Sequence, residues 1–202
     1  SFHPVKPITT GEGGMIVTND ENLASRARTF RNHGIDNTFR QRESSSTFEY
    51  DVSNLGSNYR MTDIQCALGI SQLSRLDDWI LRRNQIANIY DAEFSSIEGV
   101  VPLSRREGAE NSFHLYVVRI IEEEFGLGRT EIFNRLRKNN IGANVHYRPV
   151  HTFSYYQREF GTDYGLCPVS ENAYGEILSL PIFPKMKDED AQRVVEILRD
   201  QG

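Results

Sequence analysis

Apolar and polar positions change their spacing several times along the chain, and each change predicts an element. Residues 1–19 alternate short apolar groups with turn formers: Ser1-Phe2-His3-Pro4-Val5-Lys6, then Thr9-Thr10-Gly11-Glu12-Gly13-Gly14, then Met15-Ile16-Val17. That order predicts a strand, a tight loop and a second strand, with Asn19-Asp20 turning the chain into a helix near 21–32. From 34 to 57 the sequence is polar, with Arg40-Gln41-Arg42-Glu43 ahead of Ser44-Ser45-Ser46-Thr47. It predicts a loop of about twenty residues, a length that in a compact domain signals function or mobility.

Helical spacing begins at Met61. Ile64, Ala67 and Leu68 repeat at i, i+3, i+4; after a slight phase change Leu73, Leu76 and Ile80 continue the stripe, followed by Ile86, Ile89 and Tyr90. So long a helical region before a new β pattern predicts a connector. Beyond Pro102 the spacing predicts a strand over 113–121, a helix over 130–139, a strand over 141–147 and a short helix around 154–160. A helix near 169–176, a short strand Leu178-Ser179-Leu180 and a closing helix from Asp188 follow. The closing helix has acidic residues in its first turn and Ala191, Val194, Val195 and Leu198 on one face. The overall class is α/β.

Composition narrows the function more than the fold. At 202 residues and 38% hydrophobic content the chain can build a real core. A net charge of −5, with Lys and Arg scattered, argues against nucleic acid or an anionic membrane as partner and favours small metabolites. A helix near 61 lacks the basic stripe a nucleic-acid binder needs. No run approaches the ~18 apolar residues of a membrane span, and nothing at the N-terminus reads as a targeting signal. Cys66 and Cys167 stand far apart without metal-ligand spacing, so neither a disulfide framework nor a zinc site is indicated, and a reducing cytoplasm fits.

Among the candidate chemical groups Lys6 is singled out by its setting. Pro4 and Pro7 stiffen the segment around it, and Gly11, Gly13 and Gly14 follow. A lysine that attacks an aldehyde must present a neutral amine in a fixed direction, and a stiff segment supplies the direction. Taken alone, a lysine beside a glycine loop is more often solvated surface. The loop does not match G-x-x-x-x-G-K-[ST], so a P-loop is excluded. His146, Tyr147, Arg148 and His151 stand together in one short segment. His3, His33 and His114 lie outside it and read equally well as packed histidines.

Four segments carry a resemblance. Ser1 to Gly14 resembles the Schiff-base segment of the DegT/DnrJ/EryC1/StrS family of nucleotide-sugar aminotransferases. Gly56 to Gln65 resembles that family's motif before its connector helix, Val145 to His151 its substrate-side strand, and Ser179 to Pro184 its ending. Together they cover essentially the whole chain in the family's order. The Val-Lys-Pro-Ile-Thr-Thr wording and the His-Tyr-x-Pro-Val strand are most similar to the aminotransferases of pseudaminic acid biosynthesis.

The resemblance implies a fold-type I aminotransferase that uses pyridoxal 5′-phosphate (PLP). Residues 1–57 become the end of the large PLP-binding domain, 58–95 the connector helix region and 96–202 a small C-terminal α/β domain. It implies that Lys6 forms the Schiff base and shuttles the proton, that Ser1 binds the PLP phosphate, and that Asn58 reaches that phosphate from the other subunit of a homodimer. Without the motif, Asn58 reads as a turn or helix-entry residue. His146 and Tyr147 fall where the family contacts the sugar nucleotide, with Arg148 and His151 beside them. The implied reaction moves an amino group, from L-glutamate, to a UDP-linked 4-keto-6-deoxy sugar.

The resemblance also marks what the chain lacks. The family's aspartate for the pyridine nitrogen precedes the lysine segment, and the chain opens at Ser1 inside that segment. The expectation is that a full-length parent is the enzyme and that this segment alone is at best poorly active. Two rivals stand beside it. In the related PLP-dependent sugar dehydratases a histidine replaces the lysine, which Lys6 argues against. The other is a non-catalytic binding protein that keeps the fold without cofactor chemistry.

Overall fold

A computed structural model describes residues 1–35 and 39–200. The chain divides into two compact units, Ser1–Leu76 and Asp77–Gly202.

In the first unit residues 1–19 form turns and bends, not the two predicted strands. The backbone finds its partners locally. The Phe2 N–H donates to Gly13 O at 2.9 Å, Thr10 N–H to Phe2 O at 3.0 Å and Lys6 N–H to His3 O at 3.0 Å. Pro4 and Pro7 have no N–H to offer a ladder, and the Thr9 hydroxyl also donates to Phe2 O at 2.9 Å.

Helix α1 (Glu21–Arg31) begins where predicted, because Asp20 caps it by accepting the N–H groups of Asn22 and Leu23. The stretch read as a continuous loop contains a short helix α2 (Phe39–Ser44). The straight-chain residues Arg40 to Glu43 have the propensity for it. Antiparallel bridges Ile35 to Val52 and Asn32 to Asn58 then close this stretch on itself. Helix α3 (Asp63–Leu73) starts with a capping box: the Thr62 hydroxyl accepts the Gln65 N–H, and the Gln65 side chain accepts the Thr62 N–H. It buries no residue, and Ile64 is 83% exposed.

The helical stripe beyond Met61 belongs to two helices. After α3 the chain breaks at Ser74-Arg75 and resumes as α4 (Leu76–Phe94), which accounts for the phase change in the pattern.

The second unit is organised around a three-stranded antiparallel sheet of β1 (Val100–Pro102), β2 (Tyr116–Ile120) and β3 (Ile177–Leu180), in that order. Val100 stands opposite Ile120, and Tyr116 opposite Leu180. Between β2 and β3 the chain forms α5 (Glu122–Phe125), α6 (Arg129–Lys138), a 3-10 turn at Val150–Thr152, α7 (Ser154–Phe160) and α8 (Pro168–Glu176). Helix α9 (Asp188–Arg199) closes the unit and buries the predicted face of Ala191, Val194, Val195 and Leu198.

The strand predicted over 141–147 is reduced to one bridge, Asn144 to Ser179. The Asn144 side-chain oxygen accepts the Val145 N–H at 2.8 Å and so withdraws that donor from any ladder.

The core of this unit joins one face of α4 (Ile86, Ala87, Tyr90, Phe94) to inward residues of the sheet and of α6 and α9. Each large apolar side chain removed from water here contributes roughly 1.5–3 kcal/mol of transfer free energy. Helix α4 also fixes the segment after β3. The Tyr90 hydroxyl donates to Pro181 O at 2.9 Å, and the buried Arg83 donates to Phe113 O and Ile182 O at 2.9 and 2.8 Å. No helix among the described residues is long and apolar enough to cross a membrane.

Candidate functional site

The predicted site residues lie on both units, and each group is placed by its own unit. Ser1 and Lys6 share the closed loop at the start of the chain, with Ser1 exposed and Lys6 half-buried. One face of α3 holds that loop. Gln72 accepts the Thr9 N–H at 2.9 Å, and Gln65 donates to Glu12 O at 3.1 Å. Between them Gly69 leaves room for Thr10, whose methyl group would lie 3.0 Å from a Cβ at that position.

Gln65, Gly69 and Gln72 sit at i, i+4 and i+7, so a single helix face carries all three contacts. The Thr10 hydroxyl, almost fully buried, donates to Glu12 O at 2.8 Å and tightens the glycine turn. Lys6 makes no ion pair among the described residues. An amine held on a braced loop and not tied to a carboxylate is suited to bond a carbonyl carbon.

Asn58 lies on the segment that bridges back to Asn32, and its side chain is exposed. The segment is clamped on both sides: Ser57 N–H donates to Phe30 O at 2.7 Å and Tyr59 N–H to Arg31 O at 2.9 Å. Behind it Gly56 and Gly34 approach so closely that a Cβ on Gly56 would meet Gly34 N at 2.0 Å. Gly34 also holds φ +76°, which glycine adopts without steric cost. These glycines place Asn58 at the entry to α3, directly before the capping box.

In the second unit His146 lines a cleft of about 320 Å³ together with His114, Asn144, Ser179, Leu180 and Ile182. Its Nδ1 lies 2.8 Å from the Ser179 hydroxyl oxygen and its Nε2 3.4 Å from the Asn144 amide nitrogen. Burial lowers the His146 pKa from its ordinary value and favours the neutral ring. Tyr147 is 71% exposed and meets the His146 ring edge-on at 4.6 Å.

The other two members of the cluster are engaged with their own loop. Arg148 donates from Nε to the Thr152 hydroxyl at 2.9 Å and from Nη2 to Thr152 O, and its guanidinium stands over the Phe153 ring. His151 meets Glu171 at 2.8 Å. Glu171 in turn accepts the N–H groups of Gly165 and Cys167. These bonds, that from Gly165 first, hold its carboxyl below the ordinary carboxylate range.

Sequence reasoning did not single out Gln65, Gly69, Gln72, Asn144 or Glu171. The first three carried a readable signal: Thr62-x-x-Gln65 is a capping-box pattern, and the other two follow on its helix face. Ser179 lay inside a matched segment without being assigned a role. No group of three or more His, Cys, Asp or Glu side chains among the described residues could hold a metal ion.

The DegT/DnrJ/EryC1/StrS aminotransferase family model matches residues 1–199. The spore coat polysaccharide biosynthesis protein SpsC of Bacillus subtilis is 40% identical over 202 residues, covering 99% of this chain and 52% of that protein. Helicobacter pylori PseC, described as an aminotransferase involved in the biosynthesis of pseudoaminic acid, superposes with a TM-score of 0.84 at 34% identity. The match covers 98% of this chain and 51% of that one. Spr1654 of Streptococcus pneumoniae, described as a putative sugar aminotransferase and solved in a PMP form, gives a TM-score of 0.84 at 29% identity, over 98% of this chain and 51% of that one. It was also solved in a PLP form. The chain spans about half the length of the curated relatives it matches.

Proposed function

Because the chain belongs to the DegT/DnrJ/EryC1/StrS aminotransferase family, we propose that it is the C-terminal part of a PLP-dependent nucleotide-sugar aminotransferase. The substrate is the keto group of a UDP-linked 4-keto-6-deoxy sugar, in surface-glycan or pseudaminic acid biosynthesis, and the donor is L-glutamate. The residues fit the cofactor. Lys6 offers an amine that is half-buried on a braced loop and carries no ion pair among the described residues, and this single observation carries the reading.

When bound, PLP carries the amino group between the two substrates and stabilises charge at the reacting carbon. Lys6 would hold the cofactor's aldehyde carbon at rest and, once the donor's amine has displaced it, its freed amine would move the proton at the reacting carbon, as base and then as acid. The clamp through Gln65 and Gln72 braces the loop that bears Lys6. Ser1 and Asn58 offer a hydroxyl and an amide to the phosphate, Asn58 from the partner subunit of a homodimer with shared sites. His146 and Tyr147 meet the sugar nucleotide. Arg148 and His151 shape the loop that presents them and stand beside the substrate.

In this reading residues 1–57 end the large PLP domain, 58–95 form the connector and 96–202 the small domain. The protein works in the cytoplasm.

The test is an absorbance spectrum of the full-length parent purified with PLP, before and after borohydride, with mass mapping of the product. A visible band lost on reduction and a pyridoxyl group fixed to Lys6 are expected. No adduct on any residue overturns the reading and favours a binding protein that keeps the fold without cofactor chemistry.

A further inference from the structure

We infer that Asn144 and Ser179 are positioning residues that hold His146 as a neutral imidazole protonated on Nδ1, so that its Nε2 lone pair receives a hydroxyl or amide N–H of the sugar and not a phosphate oxygen. The inference rests on the reading that His146 meets the sugar.

The argument begins at the Asn144 amide, whose two ends are told apart by their partners. Its oxygen accepts the Val145 N–H at 2.8 Å, so its nitrogen is the end that faces His146 Nε2 at 3.4 Å. An amide nitrogen only donates, and Nε2 must therefore be an acceptor without a proton. The proton is then on Nδ1, which donates to the Ser179 oxygen 2.8 Å away. The Asn144 contact is long, so it orients the ring while leaving the Nε2 lone pair open to a better donor.

Both partners sit on one rigid link. Asn144 and Ser179 form an antiparallel bridge, with Asn144 N–H to Ser179 O at 3.2 Å and Ser179 N–H to Asn144 O at 2.8 Å. Ser179 is 5% exposed, on a strand of the core sheet. The ring is thus referenced to the core sheet.

The surroundings agree with a neutral ring. No carboxylate pairs with His146 among the described residues, and the cleft wall beside it includes Ala143, Leu180 and Ile182. His114 is the other titratable side chain lining that cleft. A neutral acceptor repels a phosphate oxygen and attracts a hydroxyl, so this position discriminates the sugar's functional groups, not its diphosphate.

The test uses the full-length protein with PLP, labelled with ¹⁵N-histidine, the His146 signals being assigned by their loss in His146→Gln. The wild-type ring is expected to show a protonated Nδ1 and an unprotonated Nε2. In Ser179→Ala the proton redistributes toward Nε2, and KM for the nucleotide sugar rises on the order of tenfold, as loss of one hydrogen bond implies. The half-reaction with the amino donor stays within about twofold, since the sugar takes no part in it. Ser179→Thr, which keeps the hydroxyl, restores both readouts.

A wild-type ring protonated on Nε2 overturns the inference. So does an unchanged tautomer in Ser179→Ala, or a shifted tautomer with unchanged KM. A protein with the expected tautomer but no adduct on Lys6 instead fails the aminotransferase reading and leaves the positioning of His146 standing.

Discussion

The two units of this chain are held together by different forces. The second unit gathers the apolar core, where Ile86, Val118, Ile132, Leu136, Leu178 and Leu198 are fully removed from water. In the first unit neither α1 nor α3 buries a residue, and Met15, Ile16, Val17 and Ile70 are each at least 70% exposed. What orders the first unit is a set of directional bonds: the Asp20 cap, the Thr62 and Gln65 box, the Gln72 contact and the Gly34 and Gly56 apposition. Apolar burial is non-directional and roughly proportional to area, whereas a hydrogen bond contributes little net stability but fixes geometry. The lysine that carries the proposed chemistry therefore lies in the unit whose described contacts are mostly directional.

The largest test of this contrast is a pair of truncations. Leu178→Ala should lower the unfolding free energy of the second unit by about 2–5 kcal/mol, as expected for a buried leucine that leaves a cavity. Ile70→Ala, on an exposed face of α3, should change stability by no more than about 0.5 kcal/mol. Urea unfolding followed by circular dichroism and by tryptophan fluorescence measures both; Trp79 lies on α4 and reports the second unit. Equal losses at the two positions would end the distinction drawn between the units.

A smaller effect probes the directional side. Gln72→Ala removes the acceptor of the Thr9 N–H, and the expected loss is about 1 kcal/mol. The loss should appear as faster amide exchange over Ile8 to Gly11, with the exchange of α9 unchanged. Uniform acceleration across the chain would mean that Gln72 supports global stability and not the lysine loop.

The same contrast decides what could be read from sequence. The closing helix was legible down to its buried face because its apolar positions meet a core inside the same unit, and periodicity reports burial of that kind. The stripe Ile64, Ala67, Leu68 has the same spacing, yet α3 shows no buried residue. Periodicity records a face able to be buried and does not say what covers it.

Residues 1–19 and 141–147 were misread for a shared reason. Their apolar alternation suits strands, but prolines, threonine hydroxyls and the Asn144 side chain take up backbone groups that a ladder requires. β1 escaped notice because three residues ending in Pro102 carry too little pattern. In the candidate site, Lys6 and Asn58 are singled out by the company they keep in their segments. Gln72, which binds the Lys6 loop at Thr9, and Ser179, which binds His146, act across the chain, 63 and 33 residues from those partners, where no local pattern reaches.

The smallest expected effect shows that the division follows the site as well as the unit. The loop bearing Arg148 and His151 belongs to the core-rich second unit, yet it is anchored by a polar clasp at Glu171, which binds His151 and the Gly165 and Cys167 N–H groups. Those bonds favour the carboxylate in the folded protein and depress its pKa below the ordinary 4.5. A depressed acid contributes stability that is fully present above its unfolded value and is lost as pH falls through the folded value. The stability gap between wild type and Glu171→Gln should accordingly be constant from neutrality down to about pH 5 and close on further acidification, since both side chains are then neutral. Urea midpoints measured across that range give the gap directly. A gap that stays open in acid would mean that the clasp does not depend on the carboxylate, and that the Gly165 and Cys167 N–H groups are held as well by a neutral side chain.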